Sequence, residues 1–281
     1  MKKILFPTDF SKTANNAFVY ALEMAKFLNA ELIVLHVYNL PPVTYEGYPS
    51  YVSDVYESIE LSNFENFKDE VPLLRKIAEE QQLEHIKMSH VLEQGDLVSI
   101  IKRLVEDEKI NLIVMGTNGA SGLKEAFLGS NAGDVIQKVP ILSLTVPTSA
   151  KFDKIKKIGF TTRFTSKEKR ALLQVVAFAK TIKAKVKCVF VKTLDSDIRE
   201  SKIDKWRADF QKEPVEFFVI QNEDVKGTIF DFLKKQDIDI LAMLSYKHSF
   251  LESIFKKNIV KKIVYDTDVP ILALHEDDTI L

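Results

Sequence analysis

Short apolar runs alternate with longer amphipathic segments along the first half of this 281-residue chain. Four runs rich in Val, Ile and Leu predict buried strands, at 3–6, 31–37, 112–115 and 141–146. Helical periodicity predicts helices at 11–28, 64–81, 96–108 and 129–138. The first of these has Ser11 as its predicted N-cap. Strand and helix therefore alternate, as they do in parallel α/β folds.

The second predicted strand, 31–37, is apolar along most of its length rather than at every other position. This pattern is typical of a strand that helices cover on both faces, so we predict an open, doubly wound parallel sheet. Ligands of such sheets bind beyond the carboxyl ends of the strands, at a switch point in the strand order. The segments that reach this edge are Pro7-Thr8-Asp9, Val37-Tyr38 and Met115-Gly116.

The second half of the chain repeats the first. Residues 2–10 (KKILFPTDF) match residues 156–164 (KKIGFTTRF) at an offset of 154. Further on, 112–115 parallels 240–243, and 139–142 parallels 269–272. A duplication explains this regularity, and it predicts two tandem α/β domains at 1–150 and 151–281, each an open doubly wound parallel sheet.

Glycines are concentrated after the third predicted strand, in the stretch MGTNGASGLKEAFLGSN at 115–131. Glycine lets a ligand approach main-chain N–H groups that a Cβ would shield. A helix that begins at Gly129-Ser130 adds unpaired N–H groups and the positive end of its dipole. These features predict a cradle for a phosphate-bearing ligand. The alternative is an ordinary glycine-rich turn with Ser130 as a helix cap.

Three common catalytic or nucleotide-binding motifs are missing from the sequence. The chain has no G-x-x-x-x-G-K-[ST] P-loop, no G-x-G-x-x-G after the first strand and no G-x-S-x-G nucleophile elbow. P-loop phosphate binding, dinucleotide binding and serine hydrolase chemistry therefore have no support.

The spacing G-x2-G-x9-G-[S/T], filled by Gly116, Gly119, Gly129 and Ser130, resembles that of the ATP-binding branch of the universal stress protein family. The opening KILFPTDFS at 3–11 is similar to that family as well. The likeness covers the first half at family spacing and the second half more weakly. It implies an adenine nucleotide alpha hydrolase-like fold with strand order 3-2-1-4-5, and ATP, with or without Mg²⁺, as the ligand.

The resemblance also implies a role for individual residues. Thr8 and Asp9 would lie by the nucleoside, with Asp9 near the ribose or a metal ion, and Val37 would offer backbone contacts to adenine. Gly116 and Gly119 would line the ribose and the α-phosphate, while 129–131 would bind the outer phosphates. The implied cofactor-binding set is Pro7, Thr8, Asp9, Val37, Met115, Gly116, Gly119, Gly129, Ser130 and Asn131. No side chain is assigned as catalytic or as a metal ligand.

The second half has lost this constellation. Gly116, Gly119 and Gly129 fall opposite Leu244, Lys247 and Lys257, and Asp9 falls opposite Arg163. Side chains at these positions would fill the space in which the backbone must approach phosphate, so we do not expect the second half to bind ATP in the family manner. Binding of another anion by Lys247, Lys256 and Lys257 is the alternative to a lost site that is kept as a packing partner.

The last predicted strand of each half, 141–146 and 271–274, carries an apolar edge that would be adhesive if it were unpaired. We expect the two edges to pair within the chain, which imitates a dimer. Residues 1–150 hold 13 Lys and Arg against 20 Asp and Glu, and residues 151–281 hold 26 against 20. The opposite charges of the halves favour this contact. A further homodimer is left open.

The composition and the lengths of the apolar runs indicate where the protein is located and which partners it lacks. The single cysteine, Cys188, excludes an internal disulfide and fits a reducing compartment, so a cytoplasmic location is expected. No apolar run approaches the roughly 18 residues that a membrane helix needs, and the run at 4–6 is too short for a signal peptide. Lysines of the basic half are dispersed among acids, so nucleic acid is not an expected partner.

Other candidate residues receive structural interpretations. His36 is interpreted as a packed or capped core residue, His85 and His90 lack the spacing of metal ligands, and Cys188 is interpreted as a buried hydrophobe. The segment after the second strand contains Tyr38, Tyr45, Tyr48, Tyr51 and Tyr56. It is predicted to be the least regular part of the first half, and either a lid beside adenine or a passive connection.

Three functions follow as hypotheses. The first is an ATP-binding module of stress response or regulation. The second is a slow ATPase, for which Asp9 is the one nearby acid, with no positioned base or arginine finger. The third is a tandem scaffold that binds a protein partner without nucleotide. The sequence names neither that partner nor the inducing stress.

Overall fold

The computed structural model of the chain describes residues 2–40, 49–117, 130–244 and 269–275. The first half contains β1 (Lys2–Pro7), α1 (Lys12–Leu28), β2 (Ala30–Tyr38), α2 (Pro49–Glu80), β3 (Met88–Gln94), α3 (Leu97–Asp107), β4 (Leu112–Gly116), α4 (Ser130–Lys138) and β5 (Ser143–Val146). The second half contains β6 (Lys157–Thr161), α5 (Ser166–Ile182), β7 (Lys185–Lys192), α6 (Glu200–Asp209), β8 (Val215–Gln221), α7 (Val225–Lys235), β9 (Ile240–Leu244) and β10 (Ile271–Leu274).

The ten strands of the described residues join one sheet, in the order β3-β2-β1-β4-β5-β10-β9-β6-β7-β8. Every neighbouring pair is parallel except β5 and β10, which are antiparallel. The prediction of an α/β fold with a mainly parallel sheet is confirmed. The implied strand order 3-2-1-4-5 is extended, because the sheet continues from β5 of the first half into β10 of the second.

The junction between the halves is the β5–β10 pair. Leu272 lies opposite Leu144, and Ala273 lies opposite Ser143. The side chains of Ser143 and Thr145 are fully buried, and the Thr145 hydroxyl donates to the carbonyl of Ile271 at 3.4 Å. The strand begins at Ser143 rather than at residue 141, yet the two predicted edges do pair. Neither β5 nor β10 therefore exposes an open edge at this point.

Apolar side chains of β1 point alternately to the two faces of the sheet and pack into two hydrophobic cores. Ile4 and Phe6 pack in the cluster that contains α1, whereas Leu5 packs in the cluster that contains α3 and α4. Both faces of the strand are therefore covered by helices, which is the burial that the continuous apolar runs predicted.

Backbone geometry recurs at the sequence offset of 154. Phe10 and Phe164 both adopt a positive φ, of 57° and 59°, directly after β1 and β6. Asn29 and Lys183 both close their helices in the left-handed conformation, with φ of 48° and 58°. The two halves thus turn from strand to helix, and from helix to strand, in the same way.

Two elements differ from the sequence prediction. Strand β3 was not evident from the apolar pattern, because most of its residues are only partly buried beside the edge of the sheet. Helix α2 begins at Pro49, so the expectation of an irregular segment through Tyr56 is wrong from that residue onward. Residues 41–48, which include Tyr45 and Tyr48, lie outside the described part of the chain.

Candidate functional site

A switch point lies between β1 and β4, which are parallel neighbours in the sheet. After β1 the chain enters α1, on the face of the sheet that holds Ile4 and Phe6. Helix α4, which is the next described element after β4, packs Ala132 and Val135 on the opposite face. Chain segments that leave neighbouring strands toward opposite faces open a crevice at the carboxyl edge, the position where ligands of such sheets bind. Pro7 and Gly116, which end β1 and β4, lie at this edge.

The loop after β1 is held by hydrogen bonds to β2 and by hydrogen bonds among its own residues. The Thr8 N–H donates to the Leu35 carbonyl at 2.8 Å, and the Thr8 hydroxyl accepts from the Phe10 N–H at 3.0 Å. A carboxylate oxygen of Asp9 accepts from the Ser11 N–H at 3.1 Å. The Ser11 hydroxyl in turn caps α1 at the Ala14 N–H, 3.2 Å away, as the sequence predicted. These bonds fix the direction of the exposed Asp9 side chain relative to the crevice.

His36 positions the same loop. Its Nδ1–H donates to the Thr8 carbonyl at 2.8 Å, since a carbonyl oxygen can only accept. The ring centroid lies 5.0 Å from that of Phe10 and 6.2 Å from that of Phe67 on α2. The sequence interpretation of His36 as a packed or capped residue did not identify the Thr8 carbonyl as its partner. Its place beside Val37, at the carboxyl end of a strand next to β1, was the available signal.

Gly116 has a packing reason to be glycine. A Cβ at this position would lie 2.9 Å from Thr13 Cγ2 and 3.2 Å from both the carbonyl carbon and oxygen of Thr13. The end of β4 therefore touches the first turn of α1 so closely that a side chain would collide with helix backbone. Thr13 is held in turn by its hydroxyl, which lies 2.7 Å from that of Thr148. The sequence identified Gly116 but not Thr13.

The substitution Gly116→Ala is expected to lower the free energy of unfolding by about 1–3 kcal/mol, because α1 must move to admit the methyl group. Urea denaturation followed by circular dichroism measures the change. The matched control is Gly159→Ala, whose Cβ would meet only side-chain methyl groups, of Ile238 at 3.0 Å and of Leu241 at 3.2 Å. Equal losses for the two variants would show that contact with the α1 backbone is not the reason for glycine at 116.

The other predicted residues occupy varied places. Val37 is partly buried beside the α3 and α4 core, and the Met115 side chain is buried in that core, so it is the backbone of Met115 that lies at the edge. Ser130 starts α4, and Asn131 is exposed on its first turn. Gly119, Gly129 and Lys124 lie outside the described residues. Sequence reasoning missed Thr117, which is buried and donates its N–H to the Val146 carbonyl at 3.1 Å.

Across residues 2–40, 49–117, 130–244 and 269–275, no group of three or more His, Cys, Asp or Glu side chains could hold a metal ion. Among the helices that the structure describes, none is long and apolar enough to cross a membrane.

The corresponding loop of the second half contains a buried carboxylate. Glu168 is fully buried, and its Oε2 accepts from the Thr162 hydroxyl at 3.1 Å, the Arg163 N–H at 2.8 Å and the Thr165 N–H at 2.9 Å. At the offset of 154 its counterpart in the first half is Ala14. Burial, and then the negative charge of Glu168, raise the pKa of the Cys188 thiol, which therefore stays protonated.

The second-half counterparts of the glycines are described in part. Leu244, opposite Gly116, is buried at the end of β9. Its side chain therefore lies in the core at a position where the first half, with Gly116, has no side chain. Lys247, Lys256 and Lys257 lie outside the described residues.

Comparison with known proteins supports these observations. The model of the universal stress protein family matches residues 1–147. Two universal stress proteins of Methanocaldococcus jannaschii are each 32% identical to this chain. The first match extends over 151 residues and covers 49% of this chain and 89% of that protein. The second extends over 148 residues and covers 52% of this chain and 83% of that protein.

Solved structures of universal stress proteins share the fold over nearly the full length of the chain. A universal stress protein from Archaeoglobus fulgidus superposes with a TM-score of 0.71 over 97% of this chain and 96% of its own, at 18% identity. The family match covers more than half of the sequence and includes every segment of the crevice described above. The chain therefore belongs to the universal stress protein family.

Proposed function

We propose that the protein is a tandem universal stress protein, with domains at 1–150 and 151–281, that binds one ATP in the first domain. The observation that carries this proposal is the meeting of the Pro7–Asp9 loop and Gly116 at the β1–β4 switch point, in a chain whose glycine spacing continues to Gly119, Gly129 and Ser130. The recurrence of backbone geometry at the offset of 154 supports the tandem organisation.

The residues present fit a nucleotide. The hydrogen-bonded loop after β1 would present Asp9 to a ribose or a bound Mg²⁺, and the Val37 backbone, near the carboxyl end of β2, would contact adenine. The first turn of α4 carries no acidic residue, so the positive end of that helix is not offset near the outer phosphates. The excess of acids over bases in residues 1–150 acts from a distance, and salt screens it beyond about 8 Å.

The proposed role is regulatory: occupancy of the first domain would alter the surface that a partner protein recognises. A cytoplasmic location agrees with the single, buried cysteine. Slow hydrolysis of ATP is a second candidate, but Asp9 is the one acid in the described part of the crevice, and no described base is positioned to activate water.

The decisive experiment identifies what the protein carries. The chain is purified natively and denatured, and any released small molecule is identified by chromatography and mass spectrometry. We expect one adenine nucleotide per chain. Gly119→Lys, which copies the residue of the second half, should abolish it, whereas Ser121→Lys, which adds the same charge within the same loop outside the glycine spacing, should retain it.

Two outcomes decide between the alternatives. A protein that is isolated empty and takes up no added ATP–Mg²⁺ would refute the nucleotide site and leave the scaffold. Bound ATP that yields no inorganic phosphate over hours identifies a binding module, while steady phosphate release that Gly119→Lys abolishes identifies a slow ATPase.

A further inference from the structure

A cavity of about 500 Å³ opens at the carboxyl ends of β6 and β7, in the half that has lost the glycine constellation. Its described lining comes from the end of β6, the end of β7, the segment 193–198 and the start of α7. Thr161, Thr162, Arg163 and Val191 of this lining stand at the offset of 154 from Pro7, Thr8, Asp9 and Val37. The second half has thus kept a hollow at the nucleoside end of the family site while changing the residues around it.

The floor of the cavity holds an unpaired polar group. The Thr161 side chain is 94% buried, and its hydroxyl has no hydrogen-bond partner within the described chain. Thr161 lies two residues from Gly159, whose Cβ would point at Ile238 and Leu241, so both face the side of the sheet that α7 covers. This is also the side where Val189 and Ile229 line the cavity.

An unpaired buried hydroxyl lowers stability unless something pairs with it. The first half has Pro7 at this position, which has no hydroxyl, so the group belongs to the second half alone. A ligand in the cavity that offers an N–H or O–H would satisfy Thr161 Oγ1.

The walls and the mouth of the cavity differ in character. Val189, Val191, Val225 and Ile229 form an apolar wall, of which Val189 and Ile229 are almost fully buried. Among the described lining residues, the mouth has one cation, Arg163, and four carboxylates: Asp195, Asp197, Glu223 and Asp224.

Two of these acids also shape the mouth. Glu223 accepts from the Leu194 N–H at 2.8 Å, and Asp224 caps α7 by accepting from the Gly227 N–H at 2.9 Å. The excess of carboxylates over the single arginine gives the mouth a negative potential, which repels phosphates and concentrates cations.

We propose that this cavity binds a small organic amine with a flat apolar body. The body would lie against Val191 and Ile229, a ring N–H or O–H would bond to Thr161 Oγ1, and the ammonium group would remain at the acidic mouth near Asp195 and Asp197. The site is independent of ATP in the first half, so the chain would sense two ligands of opposite charge.

Tryptamine is a suitable probe, since it combines an indole N–H with an ammonium group. Binding is measured by isothermal titration calorimetry and by ligand-detected NMR on the full chain. We expect tryptamine to bind and indole-3-acetate, which has the same ring and an anionic end, not to bind. Affinity for tryptamine should fall as salt is raised.

Variants separate the two parts of the site. Thr161→Val keeps the shape of the side chain and removes the hydroxyl, so it should weaken tryptamine binding about fivefold. It should also raise the stability of the ligand-free protein, since an unpaired buried group is removed. The exposed double variant Asp195→Asn and Asp197→Asn should weaken binding about two- to fivefold, while Glu106→Gln, an exposed acid of the first half, should not change it.

Three results would overturn the proposal: equal binding of indole-3-acetate, affinity unchanged by Thr161→Val, or displacement of tryptamine by ATP–Mg²⁺. Gly119→Lys provides the check on independence. It should remove the nucleotide and leave tryptamine binding intact, so failure of the nucleotide site and failure of the amine site give different results.

Discussion

Phe164→Ala is expected to lower the free energy of unfolding by about 3–5 kcal/mol, within the range for removing a large buried aromatic ring. The Phe164 side chain is fully buried after β6. Its ring centroid lies 5.0 Å from that of Trp206, 5.4 Å from that of Phe190 and 6.3 Å from that of Phe217. Alanine would leave a cavity among these rings that the surrounding helix and strands can close only in part.

Urea denaturation followed by tryptophan fluorescence measures this loss directly, since Trp206 is the single tryptophan of the chain and touches the mutated site. The matched control is Phe10→Ala, at the same position of the first half. Phe10 is only partly buried and packs against His36 and Phe67, so its removal should cost clearly less. A loss at Phe164 no greater than that at Phe10 would contradict the interpretation of Phe164 as a core anchor.

Glu168→Ala is the second large effect that we expect, a loss of about 3 kcal/mol or more in the free energy of unfolding. One carboxylate oxygen serves two backbone N–H groups and the Thr162 hydroxyl, and the side chain completes the capping box at the start of α5. Removal of the carboxylate leaves buried or partly buried donors without a partner. Each such donor costs about 1–3 kcal/mol when it is left unpaired.

The same denaturation experiment tests this prediction, with two comparisons. Glu168→Gln keeps a carbonyl oxygen within reach of the donors and should lose less than Glu168→Ala. Ser11→Ala removes the single capping bond of α1 and should lose about 1 kcal/mol. If Glu168→Ala were no worse than Ser11→Ala, the loop after β6 would not depend on its carboxylate.

These two predictions concern what the second half gained when it lost the glycine spacing. Where the first half has an exposed Asp9 in a loop that contains no buried acid, the second half has Arg163 in a loop bonded to the buried Glu168. Glu168 and the aromatic cluster around Phe164 stabilise the core of this half. The cavity above Thr161 gives it a recess of its own.

Local pattern was sufficient for most of the helices and strands. The apolar runs and the helical periodicity of the first half predicted strands and helices that the structure contains, because burial on two faces of a strand or one face of a helix imposes a period on the sequence. Ser11 was identified as a cap for the same local reason. Strand β3 was not predicted, because its side chains are only partly buried and follow no clear period.

The position of the site was predicted from topology, and part of its residue set from resemblance. Gly116 and Thr8 could be named because they directly follow strands that the pattern showed. Thr13, His36 and Thr117 could not, since their roles depend on neighbours far along the chain. Thr13 matters through Gly116, and His36 through the Thr8 carbonyl.

By itself the sequence determined the alternation of strands and helices, the repeat at the offset of 154 and the family spacing of the glycines, all of which are relations along the chain. Only the tertiary structure decided that β5 and β10 pair in the antiparallel direction, with Leu272 opposite Leu144, and that Thr161 faces a cavity with its hydroxyl unpaired. The physical reason is that these features depend on contacts between residues far apart in the sequence. Such contacts decide how strands pair, how side chains pack and whether buried polar groups find partners, and the pattern along the chain does not specify them.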